Sequence, residues 1–99
     1  MEQMKALIMS AIKEMKVLEL TYKDNRRVVE PHAYGRDHDG DEIIRCYQVA
    51  GGSASGETTG WKVLKLSLIA SLRITEKNFL IRSDYRRNDS RMILIFCQV

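Results

Sequence analysis

Basic and aromatic residues alternate along the strand-like stretches of this chain, and this pattern is its strongest chemical signal. The cations are Arg26, Arg27, Arg45, Lys62 and Lys65, and the aromatic residues among them are Tyr22, Tyr34, Tyr47 and Trp61. Guanidinium and ammonium groups hold phosphates and aromatic faces stack on bases, so the combination suits single-stranded nucleic acid. The spacing by itself favours the plainer alternative, in which the charges are solvated and the aromatic rings fill the core.

An acidic run, Asp37–Glu42, resembles half of a calcium-binding loop. The complete pattern needs a glutamate at its twelfth position, where this chain has Gln48, and it needs flanking helices. Asp-Gly is also a common choice at the tip of a hairpin. The run therefore indicates a turn between strands rather than a metal site.

Other catalytic or metal-binding arrangements are weaker still. His32, His38, Cys46 and Cys97 match no common zinc spacing. The glycine-rich stretch 50–60 lacks the lysine of a phosphate-binding loop and is followed by a strand rather than a helix. No serine or cysteine stands beside a candidate base. We therefore expect no catalytic centre, no metal site and no cofactor.

Hydrophobic periodicity predicts a mainly β domain with an N-terminal helix. Apolar residues at helical spacing predict a helix over residues 3–15, and a turn is expected at Asp24–Asn25. Alternating and β-branched runs predict strands over residues 17–23, 27–34, 42–49, 61–66 and 71–75. Val29, Pro31 and Ala33 should share one face, and Pro31 places its strand at an edge or at a change of direction. Short strands and short turns indicate a small β-barrel or a strongly curved sheet.

The segment after residue 75 differs in composition from the rest. Residues 80–91 carry four arginines and two aspartates, a net charge of 4 − 2 = +2, with Tyr85 among them. Residues 92–99 are almost wholly apolar and, left unpaired, would be prone to aggregation. We expect them to add a C-terminal strand to the sheet or to pair with another chain.

Size and charge indicate one soluble domain, residues 1–99. Lysine and arginine number 16 against 13 acidic residues, and the pI near 9.0 permits an anionic partner without requiring one. Both cysteines lie in apolar runs, and neither a secretory signal nor an apolar stretch long enough to cross a bilayer is evident. We expect a cytoplasmic protein with reduced thiols that does not act at a membrane.

Several motifs, in order, resemble the WYL domain, a family named for a Trp-Tyr-Leu triplet. They are Leu20–Tyr22, Arg27–Pro31, Tyr47, Trp61–Ile69, Thr75 and Phe79. The ordered match covers roughly residues 4–79. The loop Gly51–Gly56 and the tail Tyr85–Asp89 are similar to those of short, free-standing bacterial members without a DNA-binding domain. The resemblance implies an Sm-like, SH3-type barrel with an N-terminal helix. It also implies a role in transcriptional regulation through a nucleic acid or a nucleotide-like ligand bound at a basic, aromatic face.

By position, Tyr22 corresponds to the family tyrosine before the first turn, and Arg27 with Pro31 corresponds to its Arg-x-x-x-Pro. Lys62 stands at the family arginine ahead of the penultimate strand. The chain departs from the family at the naming triplet, where it has Glu42–Ile44. It departs again at Ser67–Leu68, which replaces an Asp-Arg pair.

Two functions remain open. The first is a regulatory domain that binds single-stranded nucleic acid or a nucleotide-like ligand, with arginine and lysine on phosphates and tyrosine stacking. Its expected site consists of Tyr22, Arg27, His32, Arg45, Tyr47 and Lys62. The alternative is a protein-interaction or homodimerisation module that uses the apolar residues 92–99 and the methionine-rich stripe of the helix.

Overall fold

The computed structural model describes residues 2–53 and 56–99, with Glu2 described by its backbone only. Its elements are α1 (Glu2–Glu14), β1 (Lys16–Tyr22), β2 (Asn25–Asp37), β3 (Glu42–Gly51), β4 (Gly60–Lys65), a 3-10 turn (Leu66–Leu68), β5 (Ile69–Asn78) and β6 (Met92–Gln98). The predicted mainly β fold, its N-terminal helix and its additional C-terminal strand are confirmed. No helix in the described ranges has the length and apolar character needed to cross a bilayer.

The six strands form one antiparallel sheet that curls strongly. The order is β4-β3-β2-β1-β5, and β6 pairs with the second half of β2. In the described part of the chain β4 and β5, the two ends of this order, do not pair. The sheet is therefore open. Of the two predicted forms, a small β-barrel or a strongly curved sheet, the structure has the curved sheet. The helix α1 packs against β1, β2, β5 and β6 of the curled sheet. The fold measures 28 × 27 × 27 Å.

The main core lies between α1 and one face of the sheet, which we call the inner face. Ile8, Ala11 and Ile12 of α1 are fully buried there against Leu18 and Val29. The apolar stripe of the helix thus packs on the body of the same chain. Burial of each such side chain contributes about 1.5–3 kcal/mol, which explains why a 13-residue helix is stable here. A smaller cluster of Ala33, Ile43 and Met92 lies on the opposite, outer face.

Strand β2 contains an extra residue that changes the direction of its side chains. Pro31 pairs with Cys46, but Ala33 pairs with Arg45, so two residues of β2 advance against one of β3. His32 is the residue inserted by this bulge. Val29 and Pro31 therefore face inward and Ala33 faces outward, and the prediction that all three share a face is wrong. The inserted residue breaks the period of two on which that prediction depended.

The bulge also marks where β2 exchanges neighbours. Residues 25–29 of β2 pair with β1, and residues 33–37 pair with β6 along the same edge. Pro31 has no N–H to donate, so it suits the point of exchange. Pro31 was expected either in an edge strand or at a change of direction. The structure places it at a change of direction in β2, which is an interior strand.

The β1–β2 hairpin turns one residue earlier than predicted. Lys23 and Asp24 occupy the turn with φ of 49° and 65°, and Tyr22 pairs with Asn25. Two consecutive positive φ values match the right-handed twist of a two-residue hairpin. Asn25, predicted in the turn, begins β2 and donates from its side chain to the Lys23 carbonyl over 3.2 Å.

Gly35 lies where β6 approaches β2 most closely. A Cβ there would overlap the Leu94 carbonyl oxygen and lie 2.8 Å from Met92 Sδ. Overpacking of this kind typically costs about 1–3 kcal/mol. We expect Gly35→Ala to lower the free energy of unfolding by that amount in urea denaturation. Glu76→Ala, on an exposed position of β5, should change it by no more than about 0.5 kcal/mol. Equal midpoints for the two variants would contradict the close packing of β6.

Candidate functional site

The six residues predicted as one binding face divide into two groups on opposite sides of the sheet. Residues opposite each other on paired strands share a face, and Cys46 pairs with Lys62 while Tyr47 pairs with Trp61. Tyr22, Arg27 and Lys62 belong to the inner face. His32, Arg45 and Tyr47 belong to the outer face. The structure thus places the six predicted residues on two faces of the sheet rather than on one.

The inner face contains a buried guanidinium, that of Arg27, and we call Tyr22, Arg27, Gln48 and Lys62 the inner cluster. Arg27 is only 4% exposed, and its guanidinium carbon lies 5.0 Å from the centroid of the Tyr22 ring. Arg27 Nη1 donates to Gln48 Oε1 over 3.3 Å, and Nε has no hydrogen-bond partner among the residues that the structure describes. Within residues 2–53 and 56–99, no carboxylate pairs with Arg27. A cation is therefore buried here without a counter-charge.

Lys62 is the second cation of the inner cluster, and among the described residues it bonds only to neutral oxygens. Its Nζ donates to the Glu57 carbonyl over 3.0 Å and to Ser53 Oγ over 3.4 Å. Gln48 Nε2 donates to the Gly52 carbonyl over 2.9 Å, and Gly52 N donates to the Arg26 carbonyl over 3.0 Å. These bonds hold the start of the β3–β4 connection over the inner cluster.

Cys46 adjoins both cations on the inner face without being a candidate nucleophile. Burial raises the pKa of its thiol to about 12, although Arg27, Arg45 and Lys62 each act to lower it. The thiol is therefore protonated at neutral pH, whereas nucleophilic attack and metal ligation need a thiolate.

The outer group is built around the side chain of His32, which is fully buried. Its ring centroid lies 4.9 Å from that of Trp61, 5.0 Å from that of Phe79 and 4.9 Å from that of Tyr85. Nε2 accepts from Arg82 N over 3.2 Å, so Nδ1 carries the proton and donates to the Glu30 carbonyl at 2.9 Å. Burial lowers the pKa of this histidine. His32 is therefore a neutral structural residue and does not contact solvent.

Ion pairs hold the segment 79–91 against the outer face. Arg45 Nε donates to Asp89 Oδ2 over 2.6 Å, and Arg82 Nε donates to Glu30 Oε1 over 2.8 Å. The Arg82 guanidinium also lies 3.8 Å from the centroid of the Tyr47 ring. Arg45 and Tyr47, two of the predicted binding residues, are thus engaged with this segment.

An open cavity of about 390 Å³ lies between the outer face and this segment, within the usual size range of small-ligand sites. Trp61 and Tyr85 line it with Arg45, Arg86 and Arg87. The sequence marked residues 80–91 as cationic but gave no reason to place them beside Trp61, because that contact joins residues more than twenty positions apart.

The acidic turn is held by its own backbone. Asp37 Oδ1 accepts from Asp39 N over 3.0 Å and from Asp41 N over 2.9 Å. Its carboxylate thus closes a tight turn in the manner common for aspartate. Across the described residues, no group of three or more histidine, cysteine, aspartate or glutamate side chains is placed to hold a metal ion.

Comparisons of the chain with protein-family models, with curated proteins and with solved structures found no match. The resemblance to the WYL domain therefore remains a prediction.

The environment of His32 predicts a pH dependence of stability. Its folded-state pKa lies below the ordinary value of 6.5, so below about that pH the unfolded chain binds more protons and stability falls. We expect the urea midpoint to drop as the pH decreases from about 6.5 to about 5. His32→Gln should abolish this slope, and His38→Gln, at an exposed position, should retain it. A slope that persists in His32→Gln would show that another group causes it.

Proposed function

We propose that this protein is a regulatory, ligand-sensing domain of WYL type that binds a nucleotide-like anion through its inner cluster. The observation that carries the proposal is the buried guanidinium of Arg27, which has no carboxylate partner among the described residues and leaves Nε without a hydrogen bond. Lys62 adds a second cation on the same face.

The cost of burying Arg27 supports the binding of an anion at this position. Burying an ionised side chain costs several kcal/mol after relaxation. The Tyr22 ring contributes about 0.5–2 kcal/mol, and a hydrogen bond from a charged group contributes about 1.5–3 kcal/mol. The Gln48 bond is long at 3.3 Å, so its contribution lies at the low end. A phosphate would supply both the missing charge and an acceptor for Nε.

The arrangement of Lys62 favours the same kind of ligand. Both of its bonds go to neutral oxygens, and a phosphate would replace them with shorter, charge-assisted bonds. Both oxygens belong to the β3–β4 connection, so a ligand would enter by displacing that connection. The guanidinium of Arg27 is buried, which suits a small nucleotide-like anion better than a continuous strand, because a strand needs an open groove.

The resemblance adds independent support. Tyr22, Arg27 and Lys62 are three of the four positions carried over from the family motifs, and all three lie on the inner face. Lys62 does so although it is 35 residues beyond Arg27 in the sequence.

Arg27→Met separates a binding role from a structural one. For the wild-type protein, pyrophosphate or ADP should raise the thermal midpoint, by an amount equivalent to about 2.7 kcal/mol at 100 times Kd. Arg27→Met should lose this shift yet unfold, without ligand, at the same or a higher temperature, because it removes an uncompensated buried charge. Arg26→Met, at a neighbouring side chain that is 83% exposed, should keep the shift. The proposal fails if no anion shifts the wild-type midpoint and Arg27→Met is strongly destabilised.

A second candidate function is homodimerisation through β6. In the described residues β6 pairs only with β2, so its other edge is open, and Ile93 and Leu94 are 63% and 52% exposed. An open apolar edge is a template for pairing with another chain.

Light scattering tests this second candidate. The wild-type protein should be a dimer, and Ile93→Lys with Leu94→Lys should give a folded monomer, because lysine on an edge strand opposes pairing. Leu80→Lys, at an 85% exposed position outside β6, should leave the dimer intact. Substitution is preferable to deletion of residues 92–99, because Met92 is buried against Ala33 and Ile43 on the outer face. A monomeric wild-type protein would rule this function out.

A further inference from the structure

The cavity on the outer face combines two aromatic rings, Trp61 and Tyr85, with three arginines. One wall is Trp61 of β4, and the other is the segment 84–90, all of which follows the ordered match to the WYL domain over residues 4–79. Neither the resemblance nor the function proposed above assigns a role to this cavity, which we call the outer pocket.

Aromatic rings in the outer pocket form a fixed surface. The centroids of Trp61 and Tyr85 are 6.1 Å apart, and their planes are 30° from parallel. His32 packs against both rings, and Tyr47 meets Trp61 edge-on at 5.4 Å. Trp61 Nε1 also donates to Asp84 Oδ2 over 3.0 Å. These contacts hold the rings in place before any ligand arrives, which lowers the entropic cost of binding.

Positive charge at the rim of the pocket is free to bind. Three arginines and two aspartates line the pocket, which gives 3 − 2 = +1. Arg45 is engaged by Asp89 at 2.6 Å. Arg86 and Arg87 are exposed and, within the part of the chain that the structure describes, make no hydrogen bond or ion pair. Two unengaged guanidinium groups therefore flank an aromatic surface.

We propose that the outer pocket is a binding site for single-stranded nucleic acid. One or two unstacked bases would lie against Trp61 and Tyr85, and the adjoining phosphates would contact Arg86 and Arg87. Stacking on an aromatic side chain is worth about 1–3 kcal/mol per base and tolerates any sequence. In a duplex the bases are stacked on one another, so their faces cannot reach a pocket of this kind.

Fluorescence anisotropy with labelled oligothymidine or oligouridine of about ten residues measures this binding. Affinity should fall as salt rises, and replacing both arginines should reduce the slope of log K against log salt by about 1.4, the value for two phosphates on a single strand. Trp61 is the only tryptophan, so stacking should also quench the intrinsic fluorescence.

The decisive comparison is between two double variants of equal charge. Arg86→Gln with Arg87→Gln should weaken binding at least tenfold. Lys13→Gln with Lys77→Gln, at exposed positions on α1 and β5, should leave the affinity within about twofold. Tyr85→Leu keeps the apolar volume but removes the aromatic face, and it should also weaken binding.

Other outcomes would overturn the proposal. These are no binding at low salt, equal losses in both double variants, or equal binding of inorganic polyphosphate, which has the charge but no bases. Arg27→Met should leave strand binding unchanged, and the Arg86→Gln, Arg87→Gln variant should keep the thermal shift with ADP. The two sites can therefore fail separately.

Discussion

The inserted residue in β2 is the constraint on which the rest of the structure depends. It turns His32 toward the outer face, and its main chain and side chain then anchor the C-terminal part of the chain. The His32 carbonyl accepts from Val99 N at 2.9 Å and from the Tyr85 hydroxyl at 3.4 Å. Nε2 accepts from Arg82 N at 3.2 Å. Without this bulge neither the segment 79–91 nor the end of β6 would have its partner, and the outer pocket would lack a wall.

The two faces of the β3–β4 hairpin carry different kinds of side chain. Alternate residues point to opposite sides, so Cys46 and Lys62 belong to the inner face, and Tyr47 and Trp61 belong to the outer face. Adjacent residues of this hairpin thus belong to two different groups of side chains, one on each face of the sheet. The aromatic rings lie together on one side and the buried guanidinium on the other. A single basic, aromatic face was expected because alternation within one strand does not show the register between strands, which decides which residues of different strands share a face.

The sequence predicted those features that depend on local periodicity. In the predicted strand 17–23, Leu18, Leu20 and Tyr22 alternate with other residues and are buried on one side of β1, and in the predicted helix 3–15 Ile8 and Ile12 belong to the apolar stripe that is buried. The bulge could not be predicted, because the residues on either side of it alternate normally. Long-range pairs such as Arg45 with Asp89 also leave no local signal. The burial of Arg27 ran against expectation, since arginine is rarely buried without a partner.

The arginines of this protein differ mainly in whether the described residues include a carboxylate that pairs with them. Arg45 and Arg82 have carboxylate partners, and such pairs contribute little net stability when partly buried, so their main effect is to fix the position of the 79–91 segment. Arg27 fixes nothing comparable: methionine could contact Tyr22 and fill similar space without the desolvation of a charge. Among the described residues, Arg27 has one long hydrogen bond to Gln48 and the face of the Tyr22 ring, which offset only part of the cost of burying its charge. An anion bound as proposed above would offset the remainder.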